Sequence, residues 1–144
     1  VYQLLLVTGQ RLAEVAGIRW EGIEGNTWHT TIKGNHHHIV PLSSLALEIL
    51  HQQPKFIGKG VTGWSTAKSI LDRELPHFPD WRFHDLRRTA ASGMARIGVQ
   101  PHIIDVVLGH GPKKLRKVYQ IYEYVPERRE AMEAWAVFLR KILT

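Results

Sequence analysis

Between Trp20 and Leu42 the apolar spacing stops being helical, and two turn signals, Glu24-Gly25-Asn26 and Gly34-Asn35, divide the stretch into short β-prone runs. Runs this short, joined by tight turns, can pair only with their neighbours, so the segment predicts a three-stranded antiparallel sheet. On both sides of it apolar residues recur at steps of three and four. The expected fold class is therefore mainly α with one small three-stranded antiparallel sheet. With 144 residues, 44% of them hydrophobic, the chain fits a single domain with a real core.

The helical stretches can be placed in order. Leu4, Leu5 and Val7 leave the start apolar, with neither an initiating Met nor a capping residue before them, which reads as a helix entered part-way and a domain taken from a longer chain. Thr8 is the expected N-cap of a second helix whose apolar face is Leu12, Val15 and Ala16, with Arg11 off that face. Ser43 and Ser44 cap a helix reaching about Gln53; Pro54 to Gly63 reads as a loop, and Thr66 to Leu75 as another amphipathic helix. Pro76, Pro79 and Asp80 separate it from a helix that turns Phe83, Leu86, Ala90, Met94 and Ile97 inward and stops at Gly98. Pro101 opens a helix burying Ile103, Ile104, Val107 and Leu108, and Gly109 ends it. The last helix, Pro126 to Leu143, presents Ala131, Trp135, Phe138 and Ile142 on one face, with Glu127 and Lys141 suiting its dipole.

Charge narrows the partner class. Nineteen Lys and Arg against 13 Asp and Glu give +6, a field that attracts a polyanion, and nucleic acid is the expected partner. Without a cysteine the chain can form neither disulfides nor thiolate metal sites, and a reducing cytosol is compatible with it. No apolar run approaches the roughly 20 residues of a membrane span and no signal-peptide pattern is present. A soluble intracellular protein is expected, with no membrane association.

The chemistry-bearing residues cluster late in the chain. His84 and Arg87 stand three apart, so on a helix they share a face and can address one anion, aided by the helix N-terminus. His110 follows the run that ends at Leu108-Gly109, and a basic segment with Lys113, Lys114, Arg116 and Lys117 leads to Tyr119, with Tyr122 and Tyr124 close behind. Cations, imidazoles and a phenol suit metal-independent attack on a phosphodiester. His36, His37 and His38 are the competing feature. Strand alternation lets at most His36 and His38 share a face, with His29 across the hairpin, and zinc would need a further well-placed ligand, so no metal site and no cofactor are assigned.

Taken together, H-x-x-R at His84 to Arg87, Leu108-Gly109-His110 and a tyrosine nine residues later resemble the tyrosine recombinase family, the phage-type integrases, and most of all the prophage integrases. Upstream, Thr8-Gly9-Gln10-Arg11-Leu12-Ala13-Glu14 resembles the family's first arginine motif, and Lys33-Gly34-Asn35 before His38-Ile39-Val40-Pro41-Leu42 resembles its lysine hairpin. The resemblance implies that Arg11 and Arg87 clamp the scissile phosphate, that Glu14 supports the site, and that Lys33 protonates the leaving 5′ oxygen. It further implies that His84 and His110 contact the phosphate or take the phenol proton, and that Tyr119 is the nucleophile. Arg88, His36, Lys113 and Lys114 are candidate DNA contacts. Double-stranded DNA is then the partner, site-specific recombination the activity and a bacterial or phage-infected cytoplasm, at the nucleoid, the location. Core-binding and arm-binding domains would precede residue 1, and the full-length protein would assemble as a tetramer on DNA. A type IB topoisomerase shares the chemistry, and a catalytically silent DNA-binding relative would share the fold.

Overall fold

The computed structural model describes residues 1–54, 57–58, 62–110 and 123–143. Helices α1 (Tyr2–Thr8) and α2 (Leu12–Ala16) lead through a 3₁₀ turn, Trp20–Gly22, into strands β1 (Ile23–Glu24), β2 (Thr27–Ile32) and β3 (His36–Pro41). Helices α3 (Ser44–Gln52), α4 (Trp64–Glu74), α5 (Phe83–Arg96), α6 (Pro101–Val107) and α7 (Val125–Leu143) follow. The fold is mainly helical, with one antiparallel sheet in the order β1-β2-β3. No described helix is long and apolar enough to cross a membrane.

Register fixes the hairpin. Ile32 pairs with His36 and Trp28 with Val40, leaving Lys33, Gly34 and Asn35 as the turn. Gly34 (φ 90°) and Asn35 (φ 59°) both adopt the left-handed conformation that these two residue types tolerate best. Trp28, Ile32, His38 and Val40 turn inward. His29 faces Ile39 across the ladder, so it shares the outward face with His37 and not with His36 or His38.

Inward faces of α1, α3, α5, α6 and α7 converge with the sheet on one core that includes Leu5, Trp28, Leu50, Met94, Val107 and Trp135. Trp135 joins three helices: its indole N–H donates to the Leu6 carbonyl (3.0 Å), and its ring lies so close to α5 that a Cβ on Gly93 would stand 2.2 Å from it. Ser43 caps α3 as expected, its Oγ accepting from the Ala46 amide at 3.3 Å. Pro101 opens α6. The expected α4 starts earlier, at Trp64, and buries no side chain; Trp81 holds it, donating to Asp72 at 3.0 Å with Lys68 Nζ 4.7 Å from its ring. In the expected 54–63 loop, Ile57 is buried and the Gly58 amide donates to Ile18.

Two expectations about the helices also need correction. Thr8 does not cap α2. It ends α1, donating its hydroxyl to the Leu4 carbonyl at 2.6 Å, because left-handed Gly9 closes that helix first; Arg11 takes the N-cap place. Ile142 is 63% exposed. α7 outruns the surface it packs on by its last turn.

Candidate active site

The site is built on a sharp reversal between α1 and α2. Arg11 stands at the N-cap of α2, and Glu14, three residues on, accepts both from its backbone amide (Oε2, 2.9 Å) and from its guanidinium Nη1 (Oε1, 2.9 Å). Glu14 is buried while a third of the Arg11 side chain stays open. One carboxylate thus fixes the direction of the arginine and leaves its outer edge available, the geometry in which a guanidinium can hold two oxygens of an anion.

Arg87 departs from expectation. Expected to share one face with His84, it is 2% exposed, whereas His84, one turn earlier, is open to solvent. Burial is possible because backbone acceptors surround it: Nη1 donates to the Gly9 carbonyl at 2.8 Å, and Nη2 donates to the Leu108 carbonyl and to His110 Nε2 at 2.8 Å. A left-handed glycine and the end of a helix each expose a carbonyl that lacks an intrahelical donor. Burial, then repulsion from Arg11, lowers the Arg87 pKa to about 10, so it remains a cation at neutral pH. Its Nε is buried and finds no partner among the described residues.

His110 follows Gly109 (φ 66°), with its amide donating to the Asp105 carbonyl at 2.8 Å. Accepting from Arg87 requires its neutral form with the proton on Nδ1. Partial burial, then the charges of Arg87 and Arg11, hold its pKa below the usual histidine range. Two guanidinium groups and an imidazole therefore converge around the reversal at Gly9 and the end of α6.

The lysine hairpin leans on the same place. Lys33 is exposed at the first turn position after β2, and its neighbour Ile32 packs on Gly109, where a Cβ would lie 3.1 Å from Ile32 Cδ1 and 3.4 Å from His38 Cε1. His38 points inward, 4% exposed, with Nε2 3.1 Å from the Val107 carbonyl. Burial, then the nearby Arg128 charge, lowers its pKa from the ordinary 6.5 to about 4. His36 is exposed beside Gly34. On the outer face His29 Nδ1 and His37 Nε2 are 3.2 Å apart. Among the described residues no group of three His, Asp or Glu side chains is arranged to hold a metal ion.

The remaining candidates divide. Arg88 is exposed and paired with Asp85 at 2.9 Å, and Asp85 caps α5 by accepting from the Arg82 amide at 2.8 Å, which lowers its pKa. Lys113, Lys114 and Tyr119, with Tyr122, lie outside the described residues. Sequence reasoning missed Gln10, 1% exposed and donating from Nε2 to the carbonyls of Thr8 and Val107 at 3.0 Å each. It also missed Arg128, buried, with Nη1 donating to the Ile39 carbonyl at 2.7 Å. Arg128 precedes Ala131 and Trp135 by three and seven residues, so the helical phase alone put it on the buried stripe.

Comparison with known proteins bears on the family and the fold. A model described as the phage integrase family matches residues 1–60. The chain is 28% identical over 159 residues to prophage integrase IntZ of Escherichia coli K12, across 98% of this chain and 39% of that protein. It is 31% identical over 153 residues to prophage integrase IntA of the same strain, across 94% of this chain and 37% of that protein. Among solved structures, the integrase from mycobacterium phage Brujita superposes with a TM-score of 0.69 at 21% identity, across 93% of this chain and 50% of that one. The chain spans under half the length of those two curated relatives.

Proposed function

We propose that this chain, which matches the phage integrase family model over residues 1–60 and is similar to prophage integrases, is the catalytic domain, residues 1–144, of a site-specific DNA recombinase of the tyrosine recombinase family that cuts and rejoins strands through a 3′-phosphotyrosine. The observation that carries this reading is the convergence of Arg11, Arg87 and His110, with the one buried carboxylate beside them among the described residues, Glu14, already engaged by Arg11. Such a cationic corner favours a phosphate and, still more, the extra charge that develops on its nonbridging oxygens during in-line displacement.

In the proposed step the Tyr119 Oη forms a bond to phosphorus and gives its proton to His84 or His110. The bond to the 5′ oxygen breaks with its electron pair, and Lys33 Nζ protonates that oxygen. Arg11 and Arg87 neutralise the nonbridging oxygens, so guanidinium and ammonium groups do the work often given to metal ions. The covalent ester preserves the bond energy, and a 5′ hydroxyl from another strand reverses the step to give a new pairing.

Double-stranded DNA is the substrate in this reading, with Arg88, His36, Lys113 and Lys114 against its backbone. A separate core-binding domain of a longer protein supplies the other half of the clamp, protomers assemble on the recombining sites, and the work takes place on DNA in a bacterial or phage-infected cytoplasm. Topoisomerase-type relaxation shares the step but has less support, since the named relatives are integrases. To test the reading, the chain is incubated with nicked suicide duplexes of randomised sequence, and any protein–DNA adduct is digested and sequenced. An adduct on Tyr119, lost in Tyr119→Phe, is expected. No adduct, or one undiminished in Tyr119→Phe, overturns it, and Tyr122 is then the next position to examine.

A further inference from the structure

Among the described residues the candidate catalytic groups come from four distant segments: the turn at Arg11, the hairpin at Lys33, the start of α5 and the end of α6. The first three are tied to the fourth, at residues Val107 to Gly109. The Leu108 carbonyl takes Arg87, and Gly109 supports Ile32 beside Lys33. The Val107 carbonyl takes two donors, Gln10 Nε2 at 3.0 Å and His38 Nε2 at 3.1 Å. Neither donor chain reaches solvent, and each lies near a group assigned to the chemistry: Gln10 precedes Arg11, and His38 shares the hairpin of Lys33.

We propose that Gln10 and His38 are positioning residues for strand cleavage, which together hold the Arg11 turn and the Lys33 hairpin in fixed relation to Arg87 and His110 through the Val107 carbonyl. A carbonyl oxygen has two lone pairs, and here each is assigned to a different moving part. The bond from His38 also determines where the hairpin can lie. It joins β3 to α6 on the side where Ile32 and His38 already meet Gly109, so a hairpin released from Val107 is free to tilt and carry Lys33 away from the leaving oxygen. The neutral Nε2–H tautomer is required, and the charges facing His38 are Arg128 from α7, Arg87 from α5 and Arg11, all of which disfavour its protonation. If His38 served only to fill the core, an apolar residue of similar size would replace it without effect on catalysis.

This inference rests on the proposed function, and its test has one arm that does not require cleavage. The chain has no cysteine, so spin labels can be attached at Asn35→Cys on the hairpin tip and Arg88→Cys on α5. The distribution of distances between them should be narrow in the parent and in His38→Gln, whose amide can reach Val107, and broader in His38→Leu and in His38→Asn, which is too short. His38→Asn keeps the test usable if the leucine variant does not fold. The second arm compares nicked duplexes bearing either a normal 5′ oxygen or a bridging 5′ sulfur at the scissile bond, since a thiolate leaves without needing a proton. With oxygen, His38→Leu and His38→Asn should lose on the order of 100-fold in rate, as a displacement of about 1 Å can do. Sulfur should restore most of that loss, as it should for Lys33→Ala, and should leave the loss in Gln10→Leu unrepaired. An unchanged distance distribution in the leucine and asparagine variants, or an oxygen defect that sulfur fails to restore while Lys33→Ala is restored, overturns the positioning role. A parent that forms no adduct on either duplex overturns the proposed function instead.

Discussion

Arg87 Nη2 reaches His110 Nε2 at 2.8 Å while the same nitrogen also donates to the Leu108 carbonyl. Both of its protons are thus committed in the free protein. An arriving phosphate that takes Nη2 must displace His110 from the guanidinium, and one that binds through the other donors of Arg87 and through Arg11 leaves it in place; in each case it brings negative charge to a histidine now surrounded by cations.

His110 should therefore report occupancy of the site. Burial and the charges of Arg87 and Arg11 keep its pKa below 6.5, and an anion beside them should raise it. Imidazole NMR titration with and without a short duplex measures this. Arg87→Met should raise the pKa in the free protein, and an ordinary value in the parent would count against the hydrogen bond.

His38 makes stability depend on pH. Its pKa is lowered in the folded state to about 4, so between 6.5 and 4 the unfolded chain binds the extra proton. Stability is fully present above 6.5, falls as pH drops through this window, and levels off below 4. The whole shift corresponds to about 3 kcal/mol at most. Because His110 contributes in the same direction, the useful quantity is the difference between the parent and His38→Gln in urea unfolding at pH 7.5 and pH 4.5. That difference should shrink as pH falls.

Lysine should substitute poorly for either arginine. Arg87 serves Gly9, Leu108 and His110 at once, more acceptors than an ammonium can reach from that backbone position, and each buried acceptor left unpaired costs about 1–3 kcal/mol. Arg87→Lys should lose both stability and cleavage. Arg11→Lys keeps the charge beside Glu14 but not the fork, and should lose on the order of 100-fold in single-turnover adduct formation with a smaller effect on melting. Parental rates in both lysine variants would show that a general field is sufficient.

Cleavage should survive EDTA, because the proposed charge neutralisation comes from side chains. If chelation stopped it and zinc restored it, the histidines of the hairpin would become the candidates to mutate, beginning with His29 and His37, whose ring nitrogens are 3.2 Å apart.

Gly93→Ala should destabilise the fold by about 1–3 kcal/mol or more, the range for overpacking a closed core. Its new methyl would meet the Trp135 ring at 2.2 Å. Thermal unfolding measures the loss, and Trp135→Leu in the same chain should recover part of it by opening space.

Local signals made the architecture legible. The Gly34-Asn35 turn, the alternation around it, the Ser43 cap and the Pro101 start each state their structure within a few residues, and each element formed where expected. Thr8 misled because two capping solutions compete within four residues and left-handed Gly9 decides between them. The burial of Arg87 was not legible, because the carbonyls that permit it come from 78 and 21 residues away. The candidate site was legible as a set of residue types, whereas its scaffold, Gln10, His38 and Arg128, was not. Nothing in the neighbourhood of a glutamine announces that a helix end almost a hundred residues later will need its amide.

That separation has a consequence in time. Gln10 and Val107 are 97 residues apart and His38 and Val107 are 69. Contacts of such range form late, after the loops between them have closed. At a synthesis rate of about 5–20 residues per second, roughly 5–20 s pass between the emergence of Gln10 from a ribosome and that of Val107. For most of that interval Arg11 and Lys33 are both outside but have nothing to brace against, so a nascent or prematurely terminated chain carries these two cationic groups without the contacts that fix their direction. Assembly of the corner waits for the end of α6.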